Sequence, residues 1–263
     1  MKKRVLFMLA FVLALSFCVI AEGASKADYK ELILWEYDEE SDSTPETIAE
    51  AVGIAGRIVV DEDEDIDYKK FKNIVITVKN NYTLEADDVE LSSISNIEEL
   101  ESVVINGSGK TFTPYDDESR YFKITDSGPV ITFQRIIFDG GEGGGVTIDA
   151  GTVSFDNVKF SGIDVTDLDD EERDGAALRI TGGEVSINNV SFTGNKADNG
   201  GAIQITGGTV NFTGTNIFGS NEAETDGGAI QITGGTVNFS GTNDFKDTNK
   251  AGANGGGVSI TGG

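Results

Sequence analysis

One pattern of apolar and polar positions recurs through the last third of the chain, at intervals of about 27 residues. Residues 200–212 read GGAIQITGGTVNF, residues 227–239 read the same, and residues 255–263 begin a further copy. Within each copy apolar residues alternate with polar or small ones, which is typical of strands with one face turned inward. Gly207 and Gly208, between two such runs, predict a tight bend.

Three columns of apolar residues carry the pattern further back along the chain. The first is Ile148, Ile180, Ile205, Ile232 and Ile260, the second is Phe133, Phe155, Ile187, Phe212 and Phe239, and the third is Phe138, Phe160, Phe192, Phe218 and Phe245. The columns persist while the intervals between them vary, so the connecting loops absorb differences in length. A unit of this kind cannot bury its own apolar face and must stack on its neighbours.

These features predict an all-β chain that forms a right-handed parallel β-helix, a pectin-lyase-like solenoid, over residues 57–263. Each coil contributes three short strands that pair in parallel with the coils above and below. The right hand follows from the usual bias of parallel crossovers. The first strand candidates are residues 58–60 and 74–78.

Residues 1–24 predict a secretory signal peptide. They begin with basic residues, continue in an apolar run from Val5 to Ala21, and end in small residues that suit cleavage after Ala21. The alternative is an uncleaved membrane anchor, because the apolar run approaches the length that spans a bilayer.

Residues 25–56 predict an acidic segment that ends in a short N-terminal capping helix over residues 43–55. Ser43 or Thr44 would be the N-cap, with Pro45 in the first turn. Such a helix would cover the open end of the β-helix, where a bare coil exposes unpaired backbone groups. At the other end the sequence stops partway through a repeat, so we expect the β-helix to be truncated there. The alternative is that another subunit covers that coil.

The amino-acid composition excludes several kinds of catalysis and disfavours several kinds of partner. The chain has no histidine and a formal net charge of −25. Catalysis by a histidine base and the usual zinc sites are therefore excluded, and the negative surface disfavours nucleic acid and anionic membranes as partners. The one cysteine, Cys18, lies within the signal segment, so we expect no disulfide in the mature chain. We also expect no cofactor and no resident metal.

Two ordered tetrapeptides carry a family resemblance. GGAI occurs at residues 200–203 and 227–230, and F-x-x-N precedes it each time, at residues 192–195 and 218–221. This pair resembles the repeats of the chlamydial polymorphic outer membrane proteins and related autotransporter passengers, over about residues 120–263. Residues 175–178 read GAAL and residues 255–258 read GGGV, which depart from the motif.

The resemblance implies a non-enzymatic, exported protein at the cell surface, the outer membrane or outside the cell. It would act as an adhesin or a structural passenger and would bind an unknown host or cell-surface protein or glycan. Contact with a membrane would come only through a C-terminal barrel, which this sequence does not contain.

We interpret the motif residues as structural, with glycines for turns, isoleucines for the core and asparagines that cap loop backbone in a short ladder. They are Phe192, Asn195, Gly200, Gly201, Ala202, Ile203, Phe218, Asn221, Gly227, Gly228, Ala229 and Ile230.

The alternative function is a carbohydrate-active β-helix enzyme, a polysaccharide lyase or glycosidase, that uses acidic loop residues. Residues 167–174, DLDDEERD, fall in the longest interval between columns and predict a loop inserted out of the coil. Its best catalytic candidates are Asp169, Asp170 and Arg173. Residues 61–67, DEDEDID, predict a solvated charged edge, with a calcium site as the alternative. The glycine run at residues 140–145 predicts a flexible turn.

Overall fold

The computed structural model describes residues 29–34, 73–84, 100–116, 119–169 and 172–262. These residues contain strands and no helix. The strands are β1 (Tyr29–Leu34), β2 (Asn73–Val78), β3 (Tyr82–Thr83), β4 (Ser102–Thr113), β5 (Phe122–Ile124), β6 (Val130–Asp139), β7 (Val146–Ile148), β8 (Thr152–Asp156), β9 (Lys159–Ser161), β10 (Leu178–Ile180) and β11 (Glu184–Asn188). They continue with β12 (Ser191–Thr193), β13 (Lys196–Ala197), β14 (Ile203–Ile205), β15 (Thr209–Thr213), β16 (Thr215–Gly219), β17 (Glu222–Ala223), β18 (Ile230–Ile232), β19 (Thr236–Phe239), β20 (Thr242–Lys246), β21 (Lys250–Ala251) and β22 (Val258–Ile260).

The strands pair in parallel and stack as a β-solenoid of about six turns. The predicted all-β parallel fold is therefore confirmed. The signal segment, the capping helix and the strand candidate at residues 58–60 lie outside the described residues. The candidate at residues 74–78 is confirmed as β2, which pairs in parallel with β1.

Three faces and one corner make up the solenoid. The first face runs through β1, β2, β4, β6, β8, β11, β15 and β19. The second face runs through β3, β4, β6, β9, β12, β16 and β20. The third face is β5, β7, β10, β14, β18 and β22, and the corner ladder is β13, β17 and β21.

The long strands β4 and β6 belong to both the first and the second face, which sequence analysis did not anticipate. In later coils the same path is split into two strands, such as β8 and β9. One left-handed residue marks this corner in successive coils, with φ between 53° and 71°, namely Arg135, Asn157, Asn189, Gly214 and Gly241. Asparagine and glycine adopt this conformation more readily than other residues. A single residue in each of these coils therefore determines where the corner lies.

The predicted columns are confirmed by the strand register. Ile205 pairs with Ile180 on one side and with Ile232 on the other, and both Ile205 and Ile180 are fully buried. In the third column the ring centroids of Phe192 and Phe218 are 5.0 Å apart, with planes 6° from parallel. Each like residue thus packs on its counterpart in the next coil and extends one continuous apolar core.

The predicted bend at Gly207 and Gly208 is also confirmed. Gly208 has φ of 76°, and Gly183 and Gly235 repeat this conformation at 77° and 80° in the neighbouring coils. A residue other than glycine would be strained here. This corner joins the third face to the first face of the same coil.

Candidate functional site

The F-x-x-N asparagines form a buried ladder inside the solenoid. Asn195 and Asn221 are fully buried. Asn221 Nδ2 donates to the carbonyl oxygen of Phe192 (3.1 Å) and to Asn249 Oδ1 (3.0 Å). Asn221 Oδ1 accepts from the backbone N–H of Asn195 (3.1 Å) and from Asn195 Nδ2 (3.0 Å). The side chains therefore satisfy loop backbone groups that would otherwise be buried without partners.

Asn249 joins this ladder although the sequence places it one residue late. Its Nδ2 donates to the carbonyl oxygen of Phe218 (3.0 Å), as Asn221 does to Phe192. The additional residue lies in the turn before it, where Asp247 has φ of 44°. The turn absorbs the insertion and the ladder keeps its register.

The GGAI glycines permit close contact between backbones. Gly200 and Gly227 have φ of 57° and 68°, and a Cβ on either would collide with the carbonyl oxygen of the isoleucine three residues on. All twelve motif residues are buried. Any surface that meets a ligand is consequently built from other residues.

An outer polar ladder covers the third face. Gln204 and Gln231 point away from the apolar core, yet each is only 7% exposed, which the alternating pattern did not anticipate. Gln204 Nε2 donates to the carboxylate of Asp174 (2.5 Å) and to Gln231 Oε1 (3.3 Å). Gln231 Nε2 in turn donates to Asn199 Oδ1 (2.9 Å). Each glutamine therefore ties its strand to the turn of the preceding coil.

A buried arginine, Arg120, fixes the inserted loop. It is 2% exposed, and Nη2 donates to the carbonyl oxygens of Glu172 and Asp174 (both 2.9 Å), while Nη1 donates to that of Gly175 (3.2 Å). Burial, together with neighbouring Arg179, lowers the pKa of Arg120 to about 10, and nearby carboxylates offset part of this. The guanidinium remains charged at neutral pH and holds the end of the loop through three carbonyl groups.

The second half of the glycine run, residues 143–145, is close-packed, which corrects its interpretation as a flexible turn. Gly143, Gly144 and Gly145 are buried. A Cβ on Gly144 would lie 2.8 Å from Arg120 Nη1, and a Cβ on Gly145 would collide with the carbonyl oxygen of Ala177. The run makes room for the guanidinium, and this was the only sequence signal that could have pointed to Arg120.

Two of the three catalytic candidates of the inserted loop, Asp169 and Arg173, lie among the described residues. Asp169 is exposed, Asp170 lies outside the described residues, and Arg173 is half-buried. Arg173 Nε donates to the carbonyl oxygen of Leu168 (2.6 Å), and Nη1 lies 3.9 Å from the carboxylate of Asp198. Arg173 thus serves to close the loop and to attach it to the next coil. Among the residues that the structure describes, no group of three acidic, histidine or cysteine side chains could hold a metal ion.

Charges of alternating sign follow the corner ladder, from Asp164 through Lys196 and Glu222 to Lys250. Lys196 Nζ lies 3.1 Å from the Asp164 carboxylate. Burial would raise the pKa of Asp164, but hydrogen bonds from Thr166 and from Lys196 outweigh it and hold the pKa below its usual value. Opposite charges on neighbouring strands favour this register.

The acidic run at residues 61–67 lies outside the described residues. Within the described ranges there is no helix long and apolar enough to cross a membrane. Comparisons of the chain with protein-family models, with curated proteins and with solved structures found no match.

Replacing Asn221 with alanine should destabilise the solenoid strongly. The Asn195 N–H and the Phe192 carbonyl lose their buried partner, so we expect the free energy of unfolding to fall by about 2–4 kcal/mol. Asn238→Ala is the matched control, because Asn238 is exposed and, among the described residues, its amide bonds only to Asn211. We expect the control to change stability by less than about 0.5 kcal/mol. Urea unfolding monitored by circular dichroism measures both, and equal effects would contradict the assigned role of the ladder.

Arg120→Met should release the inserted loop. Three loop carbonyls then lack a donor, so we expect the free energy of unfolding to fall by about 2–4 kcal/mol and cleavage after Glu172 by a glutamate-specific protease to accelerate. Lys123→Met removes the same charge from a half-buried site nearby and should leave the cleavage rate unchanged. An Arg120→Met variant that resists the protease as well as the parent protein would show that the loop is held by other contacts.

Proposed function

We propose that this chain is a non-enzymatic, exported protein that acts at the cell surface as an adhesin or structural passenger. The proposal includes the hand and type of the solenoid, which would be a right-handed β-helix of the pectin-lyase-like type. The F-x-x-N and GGAI repeats and the signal-like segment at residues 1–24 support it. The partner is a host or cell-surface protein or glycan.

One observation carries the proposal, namely the burial of every motif residue. Phe192, Asn195, Ile203 and their counterparts one coil later lie inside the solenoid and make contacts within and between coils. The repeated part of the sequence therefore builds a scaffold. The outward side chains are therefore the ones that can contact a partner. They lie along the faces of the solenoid, and the scaffold fixes the distance between them from coil to coil.

The geometry of the scaffold suits adhesion. Neighbouring coils of a parallel sheet are spaced by about 4.8 Å, so about six turns form a continuous lateral surface of about 25 Å. Such a surface can present several equivalent contacts to an extended partner, which strengthens binding through multivalency.

The inserted loop favours a structural role over catalysis. Arg173, the one cationic candidate there, is engaged by Leu168 and Asp198, and Arg120 is engaged by the carbonyl groups of the same loop. Both arginines are therefore committed to contacts within the solenoid, and this supports the structural role.

A binding assay combined with a turnover screen tests this proposal. We expect the purified full chain to adhere to cell surfaces in a saturable manner and to produce no unsaturated or reducing ends from uronate polymers, with or without a chelator. Asp170→Asn should leave adhesion unchanged. Turnover that Asp170→Asn abolishes would instead establish the enzyme alternative.

A further inference from the structure

The outward side chains of the first face form a surface that is rich in hydroxyl and amide groups. We call it the hydroxyl–amide face and define it by the outward positions of residues 130–134 of β6 and of β8, β11, β15 and β19. Its central row, in register across five coils, is Thr132, Ser154, Ser186, Asn211 and Asn238. The flanking rows are also mainly threonine, asparagine and glutamine, and neither lysine, arginine nor an aromatic residue occurs at these positions.

Charge is sparse on this face although a quarter of the chain is charged. Asp156 and Glu184 are its only ionisable groups, and the Asp156 carboxylate accepts hydrogen bonds from Gln134 Nε2 (3.2 Å) and Asn188 Nδ2 (2.7 Å). The strands β15 and β19 carry no charge on this face at all. The second face and the corner ladder, in contrast, carry Lys159, Lys246 and the alternating charges described above.

Several polar groups of the central row have no partner among the residues that the structure describes. The side-chain hydroxyls of Thr132, Ser154 and Ser186 are half-exposed, and none of them bonds to another residue in the part of the chain that the structure describes. Asn238 Nδ2 donates to Asn211 Oδ1 (2.8 Å), which leaves the Asn211 amide group free to donate outward. The row thus offers both hydrogen-bond donors and acceptors along the solenoid axis.

The chemistry of this surface favours one class of ligand. The net charge of −25 opposes nucleic acids, anionic lipids and acidic polysaccharides. Interfaces with folded proteins depend on aromatic and arginine anchors at their centre, and the hydroxyl–amide face has neither. A neutral, hydroxyl-rich polymer can form hydrogen bonds with hydroxyl and amide groups and needs no charge to do so. Such a polymer also has a regular repeat, as this surface does from coil to coil.

We propose that the hydroxyl–amide face binds a neutral polysaccharide that lies along the solenoid axis. Each sugar unit meets the hydroxyl or amide of one coil, and several such weak contacts along one chain give the affinity. This inference rests on the proposed adhesive function and names its partner class. No catalytic step takes part.

Affinity electrophoresis tests the inference with the full chain. Because the protein is strongly anionic, it migrates in native gels, and binding to an immobile polymer retards it. The probes are xyloglucan, galactomannan and dextran as neutral polymers, and polygalacturonate and alginate as acidic ones. We expect at least one neutral polymer to retard the protein and neither acidic polymer to do so.

A pair of substitutions locates the site. Ser186→Val with Asn211→Leu removes polar groups from adjacent strands of the face, and we expect the dissociation constant to rise about tenfold. Thr193→Val with Thr215→Leu makes the matched change on the second face and should leave binding unchanged. Thr132→Val with Ser154→Val is a second pair on the hydroxyl–amide face, should the first pair fail to fold by circular dichroism.

The outcomes separate this inference from the proposed function. Retardation by no neutral polymer, retardation by the acidic polymers to the same extent, or an equal loss in the second-face variant would each overturn the inference. Adhesion to cells without binding to any neutral polymer would overturn this inference alone. Binding to a neutral polymer without adhesion to cells would sustain it and overturn the adhesive function.

Discussion

The structure depends on the stacking of like residues in parallel register. One coil exposes its Phe and Ile side chains on both sides along the axis, and only the neighbouring coils can cover them. The rings of Phe160, Phe192, Phe218 and Phe245 accordingly form one near-parallel stack, with centroids 4.8 to 5.4 Å apart. The buried asparagine ladder obeys the same rule with polar groups, since the amides of Asn195 and Asn221 each bond to the preceding coil and to the next one.

Left-handed residues at the corners make this stacking possible. Because one residue of positive φ turns the corner between the first and second faces from Asn157 onward, the strands on either side can remain short and keep one register in successive coils. The loops can then vary without disturbing the columns, as the turn before Asn249 and the inserted loop held by Arg120 both show. The repeat motifs therefore lie inside the solenoid, and in the proposed function the side chains outside contact the partner.

The repeated elements could be predicted from the sequence because each column of apolar residues recurs in several coils. Five isoleucines or phenylalanines at matching positions identify a core that no single strand would reveal. The single features could not be predicted. Arg120 occurs once, so its partners, which are carbonyl groups of a loop about fifty residues away, leave no pattern in the sequence. Gln204 reads as an outward strand position, and its burial depends on Asp174 and Gln231 in neighbouring coils. The continuous strand β6 could not be predicted because its corner residue, Arg135, resembles an ordinary exposed position.

Disulfide trapping tests the parallel, in-register stacking most directly. In a Cys18→Ser background, Asn211→Cys with Asn238→Cys places two thiols on paired positions of β15 and β19. Paired positions on neighbouring strands lie about 5 Å apart, within the range that a disulfide spans. Asn211→Cys with Ser240→Cys shifts the partner by two residues, beyond that range. We predict that mild oxidation forms the disulfide in the first variant and not in the second, whereas equal cross-linking of both, or of the shifted pair alone, would contradict the stacking.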